Sequence, residues 1–295
     1  MIRGDIVYID LKYLTSQVVN NIDDIPINVC HTIVPVFWDT TSDPYKNDTT
    51  GIIFFSNNSI TTARIYLVKG SQETLLSNSQ YGTPYPFGFI DNRYSQKTVG
   101  YKLDWKKVYQ MFGNGEYKII CKRTPLIGAE IIEEGMTYNL MQYTQTRADN
   151  TVRLEWYMNG ITGDNQEGKW DYLGKNFYMQ LRIPNSTLIE QTPNFEATYE
   201  KEFNGKSILV NKLITNKFTL NCSKLPYRLY QYIKLYAMQS DNILIKDFNL
   251  GNFNKKTYEN LIFTSVNDLN GYGYSENVTV SYELDEFVQN KRHIK

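Results

Sequence analysis

The sequence predicts a mainly β fold with a minor helical share: two β-sandwich-like domains, each carrying one short helix. Three observations lead there. Aromatic and β-branched residues gather in short runs, several of alternating polarity, as strands do. Clusters of Asn, Gly, Ser and Asp separate those runs at the spacing of a sandwich. Two stretches carry the apolar period of a helix. At 295 residues the chain is long enough for two domains of ordinary size.

Residues 1–31 read as an N-terminal arm. Ile6–Tyr8 could form a short strand, and the Asn20–Pro26 region reads as loop. The first domain is expected over residues 32–148. Its strand candidates are Thr32–Trp38, Gly51–Phe55, Ala63–Val68 and Tyr117–Lys122, divided by turn clusters at Thr40–Asn47, Ser56–Ser59 and Lys69–Ser71. Its helix is expected over Trp105–Phe112. Asp104 is a good N-cap, Gly113 a stop, and Trp105, Val108 and Phe112 share one face.

The polar stretch Tyr143–Asn150 suggests the boundary, and residues 149–288 form the second β-rich domain. Val152–Trp156 alternates apolar and polar residues, which predicts a half-buried strand. A Gly- and Asn-rich loop follows over Asn159–Lys169, and structure resumes at Trp170–Leu173. Further strands are expected at Thr198–Phe203, Lys217–Cys222, Ile243–Asp247 and Val278–Leu284. The second helix is expected over Pro226–Met238, capped by Ser223, with Leu225, Leu229, Ile233 and Tyr236 or Ala237 as its apolar stripe. Residues 289–295 are a basic C-terminal tail.

Composition argues against most enzyme chemistries. There are 24 Tyr, 14 Phe and 4 Trp, but only 2 His and 3 Cys. Aromatics build cores and interfaces, whereas His and Cys carry much of acid–base, nucleophilic and metal chemistry. Cys30, Cys121 and Cys222 make no CxxC pair and no disulfide framework. His31 and His293 make no HxxxH or HExxH ligand pair. No cofactor or metal is expected. The 31 basic and 31 acidic residues cancel, so no basic excess advertises a nucleic-acid surface. Near-neutrality removes the self-repulsion that keeps molecules apart. The N-terminal residues have no apolar run of a signal peptide, and no stretch is long enough to span a bilayer.

Local constellations read as structure. Asp23/Asp24, Glu133/Glu134 and Asp285/Glu286 are adjacent acids, which on a strand point to opposite faces. Asp164–Gly168 lacks the ligand spacing of an EF-hand and reads as a hairpin loop. Gly271–Tyr274 lacks the Lys-Ser/Thr of a phosphate loop. The aromatics allow three roles: core packing, anchors of a protein interface, or a platform that stacks on sugars. Tyr81, Tyr85, Phe87 and Phe89 cluster in a Gly/Pro-rich stretch. Tyr85, Phe87, Phe89, Tyr172 and Tyr227 are the candidate interface anchors, while Trp105 and Trp156 are expected in cores.

Several motifs carry a resemblance. Tyr81–Phe89 (YGTPYPFGF), Val99–Val108 (VGYKLDWKKV) and Phe112–Lys118 (FGNGEYK) lie in the first half. Val152–Tyr157 (VRLEWY), Trp170–Asp171, Leu181–Pro184 (LRIP) and Leu225–Pro226 lie in the second. From about residue 50 to Lys295 the chain resembles virion proteins of Bacteroidetes phages, including the crAss-like group. The resemblance implies a tail or neck ring protein, one of the stacked rings of the tail barrel below the portal. It implies copies of the chain packed side by side around a DNA channel, with DNA as cargo. It also implies adjacent ring, portal or tail proteins as neighbours, no membrane, and a place in the virion after synthesis in the host cytoplasm. The arm over residues 1–31 could then reach a neighbouring subunit. The motifs are structural and none is catalytic, so the expectation is not an enzyme. The alternative reading is a carbohydrate-binding β-sandwich, an adhesin or a module associated with a tail fibre. A glycosidase would need a carboxylate pair across a cleft.

Overall fold

The computed structural model describes residues 33–57, 60–76, 80–84, 96–158, 177–201, 203, 205–226, 229–230, 233–238, 240, 243–251, 257–270 and 277–290. The fold is mainly β. Its strands are β1 (Ile33–Trp38), β2 (Thr49–Asn57), β3 (Ile60–Lys69), β4 (Gln72–Leu75), β5 (Gly82–Pro84) and β6 (Gln96–Asp104). Helix α1 (Trp105–Phe112) follows, then β7 (Gly115–Pro125), β8 (Ile131–Gln142) and a single turn, α2 (Gln145–Ala148). The second half contains β9 (Thr151–Met158), β10 (Phe177–Pro184), β11 (Ser186–Glu190), β12 (Asn194–Lys201) and β13 (Ser207–Pro226). A π-helical turn (Ile233–Ala237) precedes β14 (Ile243–Asp247), β15 (Thr257–Asn270) and β16 (Asn277–Asn290).

These strands make three sheets. Five pair in the order β1-β8-β7-β3-β4, three in the order β2-β6-β5, and seven in the order β10-β9-β14-β15-β16-β13-β11, with β12 paired to the other end of β13. The β1–β8 pair is parallel; the other pairs are antiparallel. β10 lies against β1 and β2, so the large sheet meets the first half along that edge. One cluster of buried apolar side chains runs from Val34 and Trp105 to Leu220 and Leu284.

Helix α1 forms as its caps predict. The Asp104 carboxylate accepts from the Lys106 and Lys107 backbone N–H groups at 3.0 and 3.3 Å. Gly113 has φ 75°, where a Cβ would be strained, and its N–H closes onto the Tyr109 carbonyl at 2.8 Å. Trp105 and Val108 are buried. The Trp105 ring lies beside Tyr117 and Tyr138, and its Nε1 donates to Thr50 Oγ1 at 2.8 Å. Trp156 is buried too, so both tryptophans occupy the core as expected.

Two expectations are corrected. Ser223 does not cap a helix; it lies within β13, and its N–H donates to the Asn185 carbonyl at 2.9 Å. β13 stays paired with β16 as far as Pro226, opposite Asn277, so the long ladder displaces the helix start. Leu229–Tyr230 and the π turn are the helical residues described there. The apolar stripe survives this change: Leu225, Leu229, Ile233 and Ala237 are buried. The second correction concerns Val152–Trp156. β9 is not half-buried, because Arg153 and Glu155 on its polar face are as hidden as Val152, Leu154 and Trp156 on the other.

Candidate functional site

The polar face of β9 is covered by the first half of the chain, and there the described structure concentrates its buried charge. Strand register explains the problem to be solved. Arg182 of β10 and Lys246 of β14 each pair with Arg153 of β9. Three cations therefore stand in one row across the sheet, an arrangement that repels itself unless anions intervene. Glu155, two residues along on the same face of β9, supplies one. It accepts from Arg153 Nε at 2.8 Å, Lys246 Nζ at 3.0 Å and Gln180 Nε2 at 3.1 Å.

Asp48 supplies the other from across the seam. It sits just before β2, held by a reciprocal pair of bonds. Its N–H donates to the Phe37 carbonyl at 2.8 Å, and its Oδ2 accepts from the Phe37 N–H at 2.8 Å. Arg182 grips the carboxylate in a fork, Nε to Oδ2 at 2.9 Å and Nη2 to Oδ1 at 2.7 Å. Arg153 Nη1 reaches Oδ1 at 2.7 Å. Forked guanidinium–carboxylate bonds are among the stronger and more directional polar contacts. Arg153 spends its remaining donors on the Pro44 and Tyr45 carbonyls at 2.9 and 3.3 Å, and Arg182 Nη1 donates to Thr151 Oγ1 at 3.0 Å.

Aromatic rings close the lattice. The Arg182 guanidinium lies 4.5 Å from the Phe37 ring centre and 4.1 Å from that of Phe248, within range of favourable cation–ring attraction. Tyr45 packs on Phe248 and donates its hydroxyl to the Asp247 carbonyl at 2.8 Å. Burial pushes that hydroxyl up to about 12. Burial alone would also raise the Asp48 carboxyl; Arg182 and Arg153 outweigh it and hold the group below its ordinary value.

This arrangement locks two parts of the chain and offers little to a substrate. Asp48 accepts four hydrogen bonds, and it is shut off from solvent. The crevice beside it, lined by Val34, Thr50, Met136 and Leu181 among others, has about 10 Å³ of free space, room for about one water molecule. Among the described residues no three His, Cys, Asp or Glu side chains come together as a metal would require. No helix among them is long and apolar enough to cross a membrane.

The surface carries the other unusual feature. At the end of the β7–β8 hairpin Leu126 is 74% exposed and Ile127 89%. Ile132, on β8 just after the connecting loop, is exposed as well. A second site is β12, all eight residues of which are exposed, with Phe195 and Tyr199 projecting and Phe203 in the following turn.

Of the residues singled out from sequence, Tyr85, Phe87, Phe89, Tyr172 and Tyr227 lie outside the described residues, as do both histidines, Asp23/Asp24 and the loops Asp164–Gly168 and Gly271–Tyr274. Asp285 and Glu286 are half-buried neighbours on β16. Sequence reasoning missed Asp48, Arg153 and Arg182. A signal for the two arginines was present, since each sits between apolar residues in a strand (Val152-Arg153-Leu154 and Leu181-Arg182-Ile183). Leu126–Ile127 was also legible as an aliphatic pair in a turn. No known protein family matches the chain, and no curated protein matches it in sequence. The resemblance to phage ring proteins therefore rests on its motifs alone.

Proposed function

We propose that this chain is a structural virion protein that assembles with copies of itself into a ring of the neck or tail barrel of a tailed phage, around the DNA channel below the portal. The observation that carries self-assembly is the exposed Leu126–Ile127 pair at a hairpin end. Fully burying such side chains is worth about 1.5–3 kcal/mol each, and a projecting knob of this kind fits a recess on a neighbour. Its chemistry favours a protein partner over a glycan, because sugar platforms are aromatic and this knob is aliphatic. The ring geometry comes from the resemblance. A knob and recess on different faces of one molecule make a heterologous contact, which closes into a ring when the rotation permits.

Two further features fit. The lattice around Asp48 fixes the seam between the halves, and a ring needs subunits of one fixed geometry. Zero formal charge gives passing DNA no strong attraction. The test is the mass distribution of the purified protein, alone and as Ile127→Asp. Closed oligomers that the substitution disperses, with the circular dichroism unchanged, support the reading. A monomer at every concentration overturns it; rings that survive Ile127→Asp place the contact elsewhere.

A further inference from the structure

Strand β12 poses a separate question. It pairs with β13 along one edge, and among the described residues no strand pairs with the other. Natural proteins blunt such edges with Pro, Lys, bulges or short length, since an open edge recruits any compatible strand. β12 is eight residues long, and its register irregularity opposite Thr198/Tyr199 falls in β13, where one residue is skipped. Its own alternation is therefore unbroken. Phe195, Ala197 and Tyr199 occupy one face; Glu196, Thr198 and Glu200 occupy the other.

We propose that β12 pairs antiparallel with β12 of a second copy across a two-fold axis through Ala197. Facing residues of such a pair must share a face, so only a residue, never a gap, can sit on the axis. The two registers with the longest overlap centre on Ala197 and Thr198. Centring on Thr198 sets Glu196 opposite Glu200 twice, and like charges directly opposite repel. Centring on Ala197 sets Glu196 opposite Thr198, Asn194 opposite Glu200, and Phe195 opposite Tyr199, each twice. That register removes every Glu–Glu opposition and zips the aromatic face, the cross-strand pairing that stabilises sheets best. The strand is thus complementary to itself in charge and in apolar pattern.

This pairing is independent of the ring contact. If both form, two rings join face to face, since a two-fold axis and a closed heterologous ring combine only in that way. The test uses the full chain with Cys30→Ser, which leaves Cys121 and Cys222, both buried. Ala197→Cys on that background places two thiols on the axis; Thr198→Cys places them off it. Under a mild oxidant Ala197→Cys yields a covalent dimer, at least about fivefold more than Thr198→Cys. In the otherwise native chain, Ala197→Glu weakens pairing roughly fivefold and leaves single rings intact. Equal cross-linking at both positions, or none at Ala197→Cys, overturns the proposal. Rings without cross-linking sink this inference alone, and cross-linking without rings sinks only the ring reading.

Discussion

Replacing Asp48 with Asn tests how strongly the seam depends on its buried charge. The change keeps the side-chain size and removes the anion that two guanidiniums share. Arg153 retains Glu155 and the Pro44 and Tyr45 carbonyls. Arg182 is left with one neutral amide oxygen of the new Asn, Thr151 Oγ1 and the faces of Phe37 and Phe248. A neutral amide, whose NH2 now faces a guanidinium N–H, does not replace a forked carboxylate, so Arg182 becomes a buried charge short of its counter-ion. Breaking a buried pair from one side costs about 3–5 kcal/mol, a large share of the 5–15 kcal/mol that holds a typical domain folded. Urea unfolding followed by Trp fluorescence measures the loss. The double variant Asp48→Asn/Arg182→Met should lose less than the sum of the single variants, by about 1–3 kcal/mol. The pH dependence gives an independent check. Burial pushes the carboxyl up, but Arg182 and Arg153 together pull it below its ordinary value in the folded state. Stability from this group is therefore complete above its unfolded pKa, about 4, and is lost as pH falls through the lower folded value. The Asn variant lacks that loss, so the two proteins converge in stability under acid. A destabilisation under about 1 kcal/mol, with parallel acid profiles, would refute the reasoning and make the pair no better than a surface salt bridge.

Two side chains give simpler expectations. The Tyr282 hydroxyl is buried with no hydrogen-bond partner among the described residues, and desolvation drives its pKa well above the ordinary tyrosine value. Tyr282→Phe should be neutral or stabilising by up to about 1 kcal/mol in the same urea titration; a loss of more than that would reveal a partner for the hydroxyl. Cys222 is buried, and desolvation raises its thiol far above the usual range. In a Cys30→Ser protein, Ellman's reagent should find no reactive thiol until denaturant is added; rapid labelling of the native protein would mean that these cysteines reach solvent.

Local grammar was readable where the chain itself supplies both ends of an element. α1 follows from Asp104, Gly113 and the spacing of Trp105, Val108 and Phe112, all within ten residues. β14 matches its expected bounds because Ile243–Asp247 is short and bracketed by breaks in the pattern. What was hidden depends on distant partners. Periodicity alone allows Pro226–Met238 to start a helix, but it cannot know that β16 continues the ladder to Pro226. Alternation in β9 reports that one face is apolar. It does not report that Asp48, 105 residues away, arrives to cover the other face and neutralise Arg153. A buried charge looks in sequence like an exposed one until its partner is known. The abundant tyrosines divide in the same way: Tyr101, Tyr117, Tyr138 and Tyr282 fill the core, while Tyr199 of β12 is exposed.

Self-assembly is the central claim, and direct imaging of the purified full-length protein at rising concentration tests it most directly. The account predicts closed rings of one rotational order with an open centre, lost in Ile127→Asp. A folded particle that stays a monomer of 34.5 kDa throughout would contradict it.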